Sequence, residues 1–149
     1  MTRIYIALGS NKGERESLIR AALGELKLLG SEFIASQLYF TEPVDCIGGT
    51  FINAVCSFET SLELEAFIPL LEGLEKKLGK NPKTKNEARL IDLDILFYGS
   101  GEYSSFGYII PHPSWQIRSF VLKPLSDIIS TITVGGKKFN IKNLCMKLS

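Results

Sequence analysis

The stretch "EARLIDLDILFYG", residues 87–99, decides how the rest of the chain is read. Most of it is a continuous run of branched and aromatic residues, the composition of a strand buried on at least one face. Two carboxylates, Asp92 and Asp94, interrupt the run, and Arg89 opens it. Side chains at i and i+2 of a strand point the same way, so the two aspartates share a face, with Cα atoms roughly 6.5–7 Å apart. Ile91, Leu93 and Ile95 then point to the other face and enter a core. Two like charges on one face repel, and desolvating them is costly. A metal ion, a pair of metal ions or basic side chains would compensate them. An edge strand with a solvated polar face, paired by Arg89, is the plainer alternative.

Upstream, residues 3–10 ("RIYIALGS") alternate, with Ile4, Ile6 and Leu8 on one face, and read as a first strand. Turn residues in "GSNKGE" end it. From about residue 15 to 29, Leu18, Ala22, Leu26 and Leu29 recur at helical spacing, with Gly30 as a stop. Residues 32–41 read as a second strand, 42–50 as a loop, and 51–60 as a third strand with Ile52, Ala54, Cys56 and Phe58 facing the core. Thr60 and Glu63 suggest a capping box for a second helix, in which Pro69 forces a kink or marks the start of the regular part. Residues 76–89 hold Gly79, Pro82 and many lysines, and read as a mobile basic loop leading into the aspartate strand.

Downstream, "GSGEYSSFG" reads as a loop and residues 110–125 as a proline-rich segment with a short helical stretch. "ITVGGKKFNI" reads as a hairpin and "KNLCMKL" as a last helical turn or two. The order β-α-β-β-α-β with C-terminal additions is that of the α+β, ferredoxin-like split βαβ fold. It predicts an antiparallel sheet with helices packed on one face and the other face free for a site.

A chain of 149 residues, 45% hydrophobic and 22% charged, fits one globular domain over residues 1–149. The net charge of +1 supplies no global basic bias toward nucleic acid or membrane. No apolar run reaches transmembrane length, and "MTRIYIALGSN" turns polar too soon for a signal peptide. Cys46, Cys56 and Cys145 are odd in number and form no CxxC or Cys/His zinc pattern, so a reduced, cytoplasmic compartment is expected.

The face predicted to stay open collects chemistry. Asp92 and Asp94 lie there by alternation, and Phe51 and Asn53 sit on the non-core parity of the third strand. His112 and Arg118 lie in the polar segment that follows. Two carboxylates, several cations, an aromatic and an amide suit a polyphosphate with its magnesium ions and a planar polar ring. Each residue alone has an ordinary use: a histidine satisfying a backbone carbonyl, a surface arginine, a solvated lysine run, core phenylalanines. Their co-occurrence carries the reading. The same strand order with open-face aromatics also suits an RNA-binding module, but no RNP-like pattern is present and carboxylates would repel phosphates there.

Taken together, "YIALGSN", "LYFTEPV" with "FINAV", "ARLIDLDILFYG", and "IPHP" followed by "RSFVLKPL" resemble the 6-hydroxymethyl-7,8-dihydropterin pyrophosphokinases of folate biosynthesis, over nearly the whole chain. The resemblance implies ATP-dependent pyrophosphoryl transfer to the pterin hydroxymethyl group, with AMP released. It implies that Asp92 and Asp94 hold two Mg²⁺ ions. Asn53 would bond the pterin edge, Phe51 and Phe120 would bracket the ring, and Thr41, Pro43 and Val44 would form the pterin-side loop. Glu72 and Glu75 would lie on the nucleotide side. Arg89, His112 and Arg118 would contact ATP, with Lys80 and Lys85 of the preceding loop, and Ile95 with the Tyr108–Ile110 stretch would surround adenine. Small-molecule substrates and a monomer are expected. The loop "KNPKTKNEAR" departs from the family: Asn86 falls near a missing tryptophan, and Lys80, Lys83 and Lys85 stand in for arginines without the bidentate fork. A member that binds pterin and transfers nothing is the alternative that this loop raises.

Overall fold

The computed structural model describes residues 1–11, 14–41, 50–79 and 91–148. Its central strand is β1 (Thr2–Ser10), the alternating segment "RIYIALGS". On one side β1 pairs antiparallel with β4 (Phe51–Thr60), Ile6 opposite Cys56 and Gly9 opposite Asn53. On the other it pairs antiparallel with β5 (Asp92–Tyr98), Ala7 opposite Asp94 and Gly9 opposite Asp92. The far side of β4 carries two short strands, β2 (Ser31–Ala35) and β3 (Tyr39–Thr41), both antiparallel to it. The sheet order is β2-β4-β1-β5, with β3 also on β4.

The second predicted strand is thus two strands, and Ser36 is the reason. Its N–H donates to the Val55 carbonyl at 2.8 Å, while its hydroxyl accepts from the Val55 N–H at 2.9 Å. A side chain takes the place of a ladder acceptor, and regular pairing stops.

Helices α1 (Arg15–Lys27) and α2 (Leu64–Leu78) cover one face of the sheet. Ile19, Ala22 and Leu26 of α1 and Phe67, Ile68 and Leu71 of α2 meet Ile4, Ile6, Phe58 and Leu93 in a first core. Gly30 does not end α1, which stops at Lys27. Gly30 lets the chain run close to β4, where a Cβ would strike the Glu59 carbonyl and lie 2.6 Å from the Phe58 ring. The capping box does not form: Thr60 accepts from the Leu62 N–H at 3.1 Å, and Glu63 caps α2 without its side chain. Helix α2 runs from Leu64 to Leu78 with Pro69 as its sixth residue, inside the helix and past its first turn.

The second face is not free along its length, contrary to the sequence expectation. After β5 come a hairpin, β6 (Tyr103–Ser105) and β7 (Tyr108–Ile110), then helix α3 (Ser119–Ile128). A second hairpin, β8 (Thr131–Val134) and β9 (Lys137–Asn140), leads into helix α4 (Ile141–Lys147). Leu122, Leu125, Ile132 and Ile141 from these C-terminal elements pack on Tyr5, Val55, Leu96 and Phe97 in a second core. The end of this face around Gly9 stays uncovered by that core. The Gly135–Gly136 turn has φ of 57° and 81°, the left-handed pair that a tight hairpin demands. The first hairpin lies where a loop was expected, because its turn places a phenylalanine, Phe106, at φ 52° before Gly107.

Strand β5 breaks its own alternation. Tyr5 faces Phe97 and Ile6 faces Ile95, so Leu96 is an extra residue in the ladder, a β-bulge. Ile95 and Tyr98 therefore enter the first core, while Leu96 and Phe97 both enter the second. Among the described residues, no helix is long and apolar enough to cross a membrane.

Candidate active site

Three strands set the site's floor. Across β4, β1 and β5, one row reads Asn53–Gly9–Asp92 and the next Val55–Ala7–Asp94. The two small residues of β1 leave a hollow between an amide wall and a carboxylate wall. The resulting cavity has a volume of about 190 Å³ and is bordered by Gly9, Phe51, Asn53, Asp92, Asp94 and, at its rim, His112, Arg118 and Phe120. Asp92 and Asp94 are exposed, and Leu93 between them is buried, as the alternation predicts. Phe51 and Phe120 are 37% and 42% exposed, so two aromatic faces remain available to a ligand. Asn53 is buried at 6% exposure. Thr41 pairs with Phe51 in the ladder at the edge of the same wall.

The carboxylate strand is held from behind. Leu93 N–H donates to Glu75 Oε2 at 3.1 Å, in the interior. Glu75 is 6% exposed on α2, so its carboxylate fixes the backbone between the two aspartates. Glu72, also on α2, is exposed, and neither glutamate borders the cavity.

The rim is built by the segment joining β7 to α3. His112 N–H donates to the Leu96 carbonyl, and its own carbonyl accepts from Trp115 N–H at 3.1 Å. Trp115 is core, edge-on to Phe97 with ring centroids 4.9 Å apart, and anchors the segment. His112 Nδ1 accepts from the Ser114 N–H at 3.3 Å, which leaves Nε2 to carry the proton of the neutral ring. Burial pushes the His112 pKa below its usual value; Arg118 adds to the lowering and Asp94 opposes it. The Arg118 guanidinium lies 5.5 Å from the centroid of the Phe120 ring, a cation–π distance that fixes both at the mouth. The Arg118 carbonyl accepts from Val121 and Leu122 N–H groups, both at 3.0 Å, and so starts α3.

A second cavity, of about 220 Å³, adjoins the first through Asp94 and His112. Ile95, Tyr108, Ile109 and Pro113 line it, while Ile110 is buried in the first core. Pro43, Val44, Lys80, Lys85 and Arg89 lie outside the described residues. Sequence reasoning missed Ala7 and Gly9, although two small residues on the non-core parity of the first strand signalled a floor.

The donor set suits divalent magnesium. Mg²⁺ is ordinarily held by one or two carboxylates and completed by phosphate and water, and Asp92 and Asp94 are exposed, adjacent and on one face. Among the described residues no group of three or more His, Cys, Asp or Glu side chains forms a protein-only cage.

Paired carboxylates lie across the cavity from an imidazole and a guanidinium, beside an aromatic and amide wall, a charge distribution that suits a phosphorylated ligand. A family model described as 7,8-dihydro-6-hydroxymethylpterin-pyrophosphokinase (HPPK) matches residues 5–130. The chain belongs to this family. The folic acid synthesis protein fol1 of Pneumocystis carinii is 42% identical over 127 residues, 84% of this chain and 17% of that protein. The 2-amino-4-hydroxy-6-hydroxymethyldihydropteridine pyrophosphokinase of Bacillus subtilis (strain 168) is 34% identical over 131 residues, 86% of this chain and 78% of that one. A crystal structure of HPPK-DHPS in complex with substrates shares the fold, with a TM-score of 0.76 at 13% identity, over 99% of this chain and 45% of that one. The chain thus spans most of the bacterial enzyme, but about a sixth of the fungal protein and under half of the solved one.

Proposed function

We propose that this chain transfers the terminal pyrophosphoryl group of ATP to the hydroxymethyl oxygen of 6-hydroxymethyl-7,8-dihydropterin, releasing AMP, in folate biosynthesis. The observation that supports the reading is the row Asn53–Gly9–Asp92, an amide and a carboxylate at opposite ends of one small floor. Asn53 bonds the pterin's polar edge, and Phe51 and Phe120 take its two faces. The hydroxymethyl group then points toward Asp92 and Asp94. A P–O bond forms at the β-phosphorus, its bond to the AMP oxygen breaks, and the hydroxyl proton is released.

Asp92 and Asp94 would hold two Mg²⁺ ions, which supply phosphate neutralisation and a lowered pKa for the attacking alcohol. His112 donates through Nε2–H, and Arg118 supplies a fixed positive charge, to the triphosphate as its charge redistributes. The second cavity, lined by Ile95 and Tyr108, suits the adenine. Glu75 acts through the Leu93 backbone, as a positioning residue. Thr41, Pro43, Val44, Glu72, Lys80, Lys85 and Arg89 keep the roles that the resemblance implies. The same reading takes residues 1–149 as one ferredoxin-like domain, monomeric and cytoplasmic, acting on small molecules and not on nucleic acid or membrane.

The test mixes the purified chain with ATP, Mg²⁺ and the pterin and measures AMP. Expected is AMP that disappears when the pterin is omitted or the metal chelated. Pterin binding without AMP overturns the reading in favour of a binding-only member.

A further inference from the structure

Gly9 sits at the centre of the pocket floor, yet its backbone asks for no glycine. Its φ is not in the left-handed region, and it occupies a regular position of the central strand, paired with Asn53 on one side and Asp92 on the other. Glycine in a strand interior weakens the strand relative to alanine. The chain therefore accepts a local loss at this position, and space is what it obtains. A Cβ built on Gly9 would lie 3.1 Å from Asn53 Oδ1. That is tighter than a normal contact, so the Asn53 amide, which borders the cavity, would have to shift by a few tenths of an ångström. Two residues along the same face, β1 carries Ala7 between Val55 and Asp94, so a methyl group is tolerated one row deeper. The restriction is specific to the row that holds the amide.

We infer that Gly9 is a positioning and specificity-determining residue: its missing side chain lets the Asn53 amide lie against the central strand, and leaves a span of roughly 10 Å between Asn53 and Asp92 for a flat ring. This rests on the pterin reading above. The device acts on the acceptor side. Both groups flanking Gly9 are polar, but its absent side chain presses only on the amide, and the carboxylates keep their own strand and their tie to Glu75.

The experiment compares Gly9→Ala with the wild type by pterin titration, steady-state kinetics and thermal melting. Expected is a rise of about tenfold or more in the pterin Kd and KM. The KM for ATP should stay within about twofold, and the melting temperature should be unchanged or higher, as a strand Gly→Ala change allows. A merely structural role would lower the melting temperature and spare neither substrate. In an Asn53→Ala background, where the pressed group is gone, Gly9→Ala should change the pterin Kd by less than about twofold. A pterin Kd within about twofold of wild type in the single variant overturns the inference. So does an undiminished effect in the Asn53→Ala background, or an equal loss for ATP. Wild-type AMP formation in the same assay keeps the two ideas apart. If it is present and Gly9→Ala behaves as wild type, only the Gly9 assignment falls; if pterin-dependent AMP is absent altogether, the pterin reading falls first.

Discussion

The two ends of the second sheet face are built from the same three strands and do opposite things. At one end Tyr5 and Phe97 are packed over: their rings meet edge-on at 5.6 Å, and Phe97 meets Trp115 the same way. At the other end the row Asn53–Gly9–Asp92 is hollow. Along this face of β1 the residues step down from Tyr5 to Ala7 to Gly9. Interiors are close-packed, so a layer above a tall residue fills and a layer above a missing one does not. The taper of one strand divides this face into a core that holds the fold and a pocket lined by polar groups. Substitutions at the two ends should therefore separate stability from activity.

The largest separation is expected from Asp94→Ala. Its side chain is exposed, so the melting temperature should hold. Turnover should fall by roughly 10³-fold or more, the loss expected when a principal charge-stabilising group is removed. AMP release and a thermal melt on one preparation check both halves, and near-wild-type turnover would sink the reading. At the closed end, Phe97→Ala should cost about 3–5 kcal/mol of stability, because a fully buried ring leaves a cavity. Denaturant unfolding measures this. The folded fraction should keep its turnover; if turnover per folded molecule falls as it does in Asp94→Ala, the two ends form one unit and the comparison breaks.

A smaller effect probes the tie between the two regimes. Glu75→Ala leaves the Leu93 N–H buried without its acceptor, which should cost about 1–3 kcal/mol. It should also loosen the aspartate pair and so raise the Mg²⁺ concentration needed for half-maximal turnover. Glu75→Gln retains an oxygen acceptor and should recover most of both. Equal metal dependence in Glu75→Ala and wild type would show that Asp92 and Asp94 need no support from α2.

What the sequence revealed and what it hid follow from the range of the interactions involved. Alternation is local, so Asp92 and Asp94 could be placed on one face from "DLDI" alone, as could Phe51 and Asn53 from "FINAV". Features set by a distant partner were hidden. The Leu96 bulge is visible only against β1, since "ILFY" reads as an unbroken apolar run. The break between β2 and β3 depends on Ser36 meeting Val55, nineteen positions away. The grip of Glu75 on the Leu93 backbone spans eighteen positions. The roof over the closed end comes from C-terminal elements whose apolar residues announce a core but not which face they cover. Nor could a glycine in "ALGS" be told from a turn glycine until Asn53 was beside it.

The smallest expected effect is also the cleanest to measure. The chain has a single histidine, so the His112 imidazole titrates alone in a proton NMR spectrum. Burial, and then Arg118, hold its pKa below the usual value near 6.5, against a smaller opposing pull from Asp94. In metal-free, nucleotide-free protein the midpoint should therefore fall below that of a model imidazole. The charge effects have opposite signs and can be read one at a time. Arg118→Ala removes a positive charge and should move the midpoint up; Asp94→Asn removes a negative one and should move it down. The linkage sign follows. A base whose folded pKa is depressed binds protons more readily when unfolded, so its contribution to stability is present above about pH 6.5 and is lost as pH falls through the folded value. His112→Gln should flatten the stability profile over that window and leave it unchanged at higher pH. A midpoint at or above that of a free imidazole would mean that the ring is solvated and free of Arg118. The open end would then be an ordinary wet surface, and its difference from the closed end would lie in packing alone.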